Sequence, residues 1–179
     1  MKRVWVVLAG VLLLARAALA EGAEWEKISR DYDRALCVLA LQDAIYCGTQ
    51  RYLIRSADAG KSWRLTGVRG PVYDLAASGD SVYAVTGRGV FVSKDGRHWR
   101  RLTAMAGSRL AAVDNVLFLA ASGGVFSSAD RGSTWGLVSS ELGTHILSMT
   151  LSDQATLCVV STRGVFRRDR DGSWTKTLG

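Results

Sequence analysis

The chain is 179 residues long with a formal net charge of +7. Its basic residues are scattered, Arg100-Arg101 and Arg167-Arg168 being the densest pairs, and a surplus so small and so spread excludes a nucleic-acid-binding face. Nothing after residue 20 is apolar over a length that would cross a bilayer, so no stable membrane insertion is expected of the mature chain.

Residues 1–20 read as a signal peptide. Lys2 and Arg3 form a basic start, an apolar run follows from Val4 to Ala15, and Ala18-Leu19-Ala20 offers the small-x-small cleavage pattern. Cleavage after Ala20 removes Lys2, Arg3 and Arg16 but no acid, which lowers +7 to +4 and leaves 159 residues, the size of one domain. A secreted or periplasmic protein is expected.

Tryptophan exposes a repeat in the remainder. Trp25, Trp63, Trp99, Trp135 and Trp174 are spaced 38, 36, 36 and 39 residues apart. Four repeats follow, approximately 30–66, 67–103, 104–139 and 140–179, each with the same four pieces. The first piece is an apolar stretch: Ala35 to Leu41, Val72 to Ser78, Leu110 to Asp114, Ile146 to Ser152. The second is β-rich: Ile45 to Thr49, Val82 to Thr86, Leu117 to Ala121, Leu157 to Ser161. The third follows a glycine in three repeats: Tyr52 to Ser56, Gly89 to Ser93, Gly124 to Ser128, Gly164 to Arg168. The fourth opens at the tryptophan, as in Trp63-Arg64-Leu65-Thr66. Four short antiparallel strands per repeat predict an all-β, propeller-like fold of four blades.

Between the third and fourth pieces lies a polar turn. Its recurring residues are Ser56, Asp58, Gly60 and Trp63; Ser93, Asp95, Gly96 and Trp99; Ser128, Asp130, Gly132 and Trp135; and Asp171, Gly172 and Trp174. The aspartate accepts nearby backbone N–H groups, glycine supplies a positive φ, and the indole packs across the hairpin, so a structural role accounts for the spacing. One carboxylate per turn falls short of a calcium cage, and His98 and His145 have no ligand-spaced partners, so neither metal nor cofactor is expected.

The Ser-x-Asp-x-Gly-x-x-Trp text resembles the Asp-box of bacterial-neuraminidase-type repeats. With the Gly-Val-Phe stretch before it, the chain is similar to the propellers of the photosystem II assembly and stability factor family, of sortilin-type receptors and of xyloglucan-active glycosidases. That resemblance implies a propeller whose Asp-boxes are peripheral and structural. It also raises glycosidase chemistry, but a sialidase-like site needs an arginine cluster, a tyrosine nucleophile with its glutamate, and an acid. The mature glutamates are only Glu21, Glu24, Glu26 and Glu141. Outside the turns, Asp33, Asp74 and Asp153 are the carboxylates with any prospect of pairing, Asp74 being notable because its repeat-mates are apolar or small. A non-catalytic binding or assembly role is therefore expected, with residues 29–34, 66–70, 104–109 and 139–145, which join the blades, facing a protein or glycan partner.

Two further expectations concern the ends and the cysteines. The tryptophan strand occurs five times and the other pieces four, so one strand is surplus. An open or incomplete ring, or a homo-oligomer formed through open blade edges, follows. Cys37 and Cys47 should lie on neighbouring strands joined near Gln42-Asp43, where a bridge is the lesser alternative, while Cys158 should be buried alone.

Overall fold

Short β-rich runs punctuated by Gly, Asp and Ser turns pair most readily with their immediate neighbours in sequence. The computed structural model describes residues 34–143, 145–152, 156–169 and 171–178, and these form sixteen strands without a helix. The expected signal segment, the Trp25 strand, Glu21, Glu24, Glu26, Asp33 and Asp153 lie outside the described residues. No helix among the described residues is long and apolar enough to cross a membrane.

The strands make four antiparallel meanders, one per repeat. Sheet 1 holds β1 (Ala35–Ala40), β2 (Ile45–Thr49), β3 (Tyr52–Ser56) and β4 (Arg64–Arg69); sheet 2 holds β5 (Val72–Ser78), β6 (Ser81–Thr86), β7 (Gly89–Ser93) and β8 (Arg100–Thr103). Sheet 3 holds β9 (Gly107–Val113), β10 (Val116–Ala121), β11 (Gly124–Ser128) and β12 (Gly136–Ser139); sheet 4 holds β13 (Ile146–Leu151), β14 (Leu157–Ser161), β15 (Gly164–Arg168) and β16 (Trp174–Leu178). The four pieces of the repeat are thus the four strands of a blade. One boundary moves: Trp63, Trp99 and Trp135 stand just before their strands, and only Trp174 lies within one.

Consecutive sheets pack face to face, with β1 against β5, β5 against β9 and β9 against β13. Three apolar cores fill these interfaces. Tyr46, Leu53 and Val68 of sheet 1 meet Val72, Leu75, Val82 and Ala84 of sheet 2. Tyr83, Val85, Val90 and Val92 meet Leu110, Leu117 and Leu119, and Phe118, Ala120 and Val125 meet Ile146, Leu157 and Val159. Among the described residues no fourth core joins sheet 4 to sheet 1, so the four described sheets are arranged as an open arc.

Burial follows from that arrangement. β6 is buried at every position and β10 at its four central ones, as expected of strands covered on both faces. β2 and β14 alternate, since each has a core on one side only. Among the described residues no core lies on the outer faces of sheets 1 and 4, and these faces differ: that of sheet 1 carries Val38, 69% exposed, Leu65, 59% exposed, and the buried Ile54, whereas that of sheet 4 carries Ser148, Thr150, Arg167 and Thr175. Among the described residues β16 is an edge strand, paired to β15, so the fourth blade holds its own C-terminal strand.

Candidate functional site

A meander places its turns alternately at two ends. The β1–β2-type turns and the aspartate turns share one end; the β2–β3-type turns and the connections between sheets share the other. Neighbouring sheets keep this alignment. Cys37 Sγ donates to Val72 O at 3.4 Å, Arg109 Nε donates to Leu147 O at 2.7 Å, and Ser78 Oγ donates to Asp114 O at 3.0 Å.

At the first end, each aspartate is occupied within its own turn. Ser56 Oγ donates to Asp58 at 2.7 Å, and Ser62 supplies both its N–H, at 2.8 Å, and its hydroxyl, at 2.6 Å. Asp130 repeats the pattern with Ser128 (2.7 Å) and with the N–H and hydroxyl of Thr134 (2.9 and 2.6 Å). Asp95 accepts the N–H groups of Arg97 and His98, both at 2.8 Å, and faces His98 Nδ1 at 2.6 Å. These bonds favour the carboxylate form. The Ser62 hydroxyl, foremost, holds Asp58 at about 2, the Thr134 hydroxyl does the same for Asp130, and Asp95 and Asp171 are also lowered, through the His98 N–H and the Ser173 hydroxyl.

The glycines of these turns have a second task. Gly96 (φ 68°) and Gly132 (φ 88°) are left-handed and buried, and a Cβ on either would collide with the preceding sheet, at the Tyr46 hydroxyl and the Leu102 side chain respectively. Each turn is thereby pressed onto its neighbour. Trp99 and Trp135 donate from Nε1 to Gly96 O and Gly132 O at 3.3 and 3.0 Å while packing on the intersheet cores. They are half-buried rather than fully buried, because each indole lies along the rim of a core.

The fourth turn departs from the others. Asp171 caps Ser173 N at 2.9 Å, but Asp169 takes the Thr175 hydroxyl at 2.5 Å and Arg167 Nε at 2.9 Å. Two carboxylates thus divide the work of one. Asp169 was not singled out in the sequence, although it precedes Trp174 by five residues, as Asp58 precedes Trp63 and Asp130 precedes Trp135.

The other end is built differently. Its connections are shorter than expected: residues 66–69 continue β4 and residues 107–109 open β9. The reason is a bulge after the tryptophan, seen as the register shift between Tyr52 and Ile54, where Thr66 Oγ1 donates to Leu53 O at 3.0 Å and keeps the chain on the sheet. A second bulge opens each inner strand. It displays Leu36, Tyr73 and Leu147, exposed by 39%, 39% and 53%, with Ser108 at the matching place in sheet 3.

Arginines frame these side chains. In three β2–β3-type turns a buried Thr or Ser oxygen accepts the arginine N–H, Thr49 from Arg51 at 3.2 Å, Thr86 from Arg88 at 3.0 Å and Ser161 from Arg163 at 3.1 Å. All three arginines are exposed. Their signal in the sequence is the recurrence of Thr49-Gln50-Arg51, Thr86-Gly87-Arg88 and Ser161-Thr162-Arg163, which the strand pattern alone does not bring out. A cavity of about 320 Å³ opens beside them between sheets 2 and 3, lined by Tyr73, Gly87, Gly107, Ser108, Ser122 and Gly123 among others.

Asp74 lies nearby on β5 but is engaged. Its oxygens accept Leu75 N at 3.0 Å and Leu110 N at 2.8 Å, the latter from sheet 3, so it ties two inner strands together. Burial raises its pKa, against the two N–H groups and Arg109, which lower it. Cys37 faces the core between sheets 1 and 2, where burial and then the charge of Asp74 push its thiol up to about 12. Cys47 does not face it: the register sets Cys37 against Gly48 and Cys47 against Val38, which puts the two sulfurs on opposite faces of sheet 1, and no bridge forms. Cys158 is half-buried on the outer face of sheet 4, beside Arg167, and belongs to none of the three cores. No group of His, Cys, Asp and Glu able to hold a metal occurs among the described residues.

The sequence matches no family model and no curated protein. Solved structures do resemble the fold. An ancestral GH74 enzyme superposes with a TM-score of 0.69 at 18% identity over 82% of this chain and 24% of its own. The GH74 xyloglucanase of Xanthomonas campestris gives 0.66 at 23% identity over 82% and 25%. The extracellular domain of a hybrid two-component system protein from B. thetaiotaomicron gives 0.67 at 15% identity over 83% and 22%. The chain spans about a quarter of the length of each, and at these identities the likeness concerns the fold alone. Four antiparallel four-stranded blades, arranged as in these proteins, make the chain an all-β protein of the propeller type.

Proposed function

We propose that the chain is an exported, non-catalytic binding propeller that presents its inter-blade end to a protein or glycan partner, and that the aspartate turns are Asp-boxes with a structural role. The observation that carries this reading is the set of apolar side chains held out by equivalent bulges, Leu36, Tyr73 and Leu147, beside the exposed Arg51, Arg88 and Arg163. Folding alone gives no reason to expose leucine and tyrosine at a strand opening, whereas apolar anchors ringed by arginine are a recurrent pattern of recognition surfaces. Export rests on the signal-like segment of residues 1–20.

Glycoside hydrolysis is the alternative, and it requires two carboxylates on one face about 5 to 9.5 Å apart. Asp74 has both oxygens committed to backbone N–H groups, which supports the binding reading. The test is a footprint. Hydrogen exchange of the mature chain, alone and with its native envelope fraction, should show protection at residues 66–73, 104–109 and 140–147. Protection confined to the aspartate turns, or turnover of a xyloglucan or sialoside oligosaccharide, would overturn it.

A further inference from the structure

The groove between sheets 1 and 2, on the aspartate-turn side, is unlike the equivalent groove between sheets 2 and 3. It encloses about 530 Å³ and is lined by Arg55, Arg64, Arg97, Asp58, Ser62 and the backbone of Gly96, among others. Its counterpart, about 470 Å³, has Val92 in place of Arg55, alongside Arg100 and Arg131. We infer that the first groove binds a dianionic tetrahedral oxyanion, a sulfate or phosphate group, between Arg55, Arg64 and Arg97.

Three observations converge. Arg55 and Arg64 are directly opposed across β3 and β4, a pairing of like charges that weakens a sheet unless an anion lies between them. No other sheet repeats it: the corresponding pairs are Val92 with Arg100, Ser127 with Gly136, and Arg167 with Thr175. Second, Arg55 is held in place. Its Nε donates to Tyr46 Oη at 3.3 Å, its guanidinium carbon lies 5.8 Å from the Tyr46 ring centroid, and the Gly96 backbone closes over it.

Third, the groove keeps a net positive charge, three guanidiniums against the one carboxylate of Asp58. Among the described residues neither Arg64 nor Arg97 has a side-chain hydrogen bond or ion pair. The one acid in the groove, Asp58, is turned to Ser56 and Ser62 of its own turn and makes no ion pair with these arginines. One oriented guanidinium with two more at the rim suits the several acceptor oxygens and double charge of sulfate or a phosphate monoester.

The experiment is a thermal-melt titration of the mature chain with sodium sulfate and, in a second arm, inorganic phosphate, up to a few millimolar. Sodium chloride holds the ionic strength constant. Wild type should show a saturable rise in midpoint, and the larger response of the two arms identifies the anion. Arg97→Gln, an exposed turn residue, should weaken the response roughly tenfold or more, the range for losing one charge-assisted hydrogen bond. Arg64→Gln should raise the midpoint in chloride alone, by relieving the repulsion, and abolish the anion response. A midpoint that ignores both anions, or a response equal in wild type and in both variants, as general salt exclusion would give, overturns the inference.

Discussion

The two ends of the arc are made by the same meander yet differ in what they do with polar and apolar groups. At the aspartate-turn end the carboxylates are consumed locally: Asp58, Asp95 and Asp130 each accept bonds from their own turn, and Gly96 and Gly132 press those turns onto the sheet before. At the inter-blade end equivalent positions hold Leu36, Tyr73 and Leu147 out to solvent, with the half-buried Ser108 in sheet 3, and the turns raise arginines instead of burying them. Repetition marks the end that builds the fold. Variation on a fixed scaffold is what the proposed binding role asks of the other end.

Substitutions should separate the ends by size of effect. The largest is Trp135→Ala, which removes an indole packed on the core between sheets 2 and 3 together with its bond to Gly132 O, and should cost about 3 kcal/mol in denaturant melts. Gly132→Ala should approach it, since a left-handed φ and a collision with Leu102 arise together, at about 2 kcal/mol or more. Next comes Ser128→Ala, which strips the acceptor from the buried N–H of Gly132 and should cost about 1 to 2 kcal/mol. A loss under about 0.5 kcal/mol in any of these would break the structural reading of that end.

Acid sharpens the comparison without mutation. Asp58 and Asp130 have folded values of about 2 against an ordinary 3.8, so each contributes stability that is complete above 3.8 and is lost as pH falls towards 2. The melting midpoint should therefore fall between pH 4 and 2, and Asp130→Asn should flatten that fall. The smallest stability effects belong to the other end. Tyr73→Asp and Leu147→Asp alter exposed side chains and should change stability by less than about 0.5 kcal/mol, while abolishing partner binding.

Most of the architecture was legible in the sequence because the repeat is a physical unit, four strands and a turn whose tryptophan and glycine recur. The bounds of β2, β3, β5, β7, β11, β14 and β15 coincide with the repeated text. What escaped was set by register and by sheet-to-sheet packing. The bulges that expose Leu36, Tyr73 and Leu147 appear only once the pairing of the inner strands is known. The opposed faces of Cys37 and Cys47 likewise depend on a one-residue offset that spacing does not fix. Asp169 was hidden for another reason. An arginine replaces the leading serine in that turn, so the motif no longer aligns from its front and must be counted back from Trp174.

Photo-cross-linking in the native host tests most directly the proposal that the inter-blade end is the binding face. A photoreactive residue placed at Tyr73 should give a covalent adduct with a partner. The same residue at Ala129, an exposed position in an aspartate turn, should give none. Adducts from Ala129 and none from Tyr73 would contradict it.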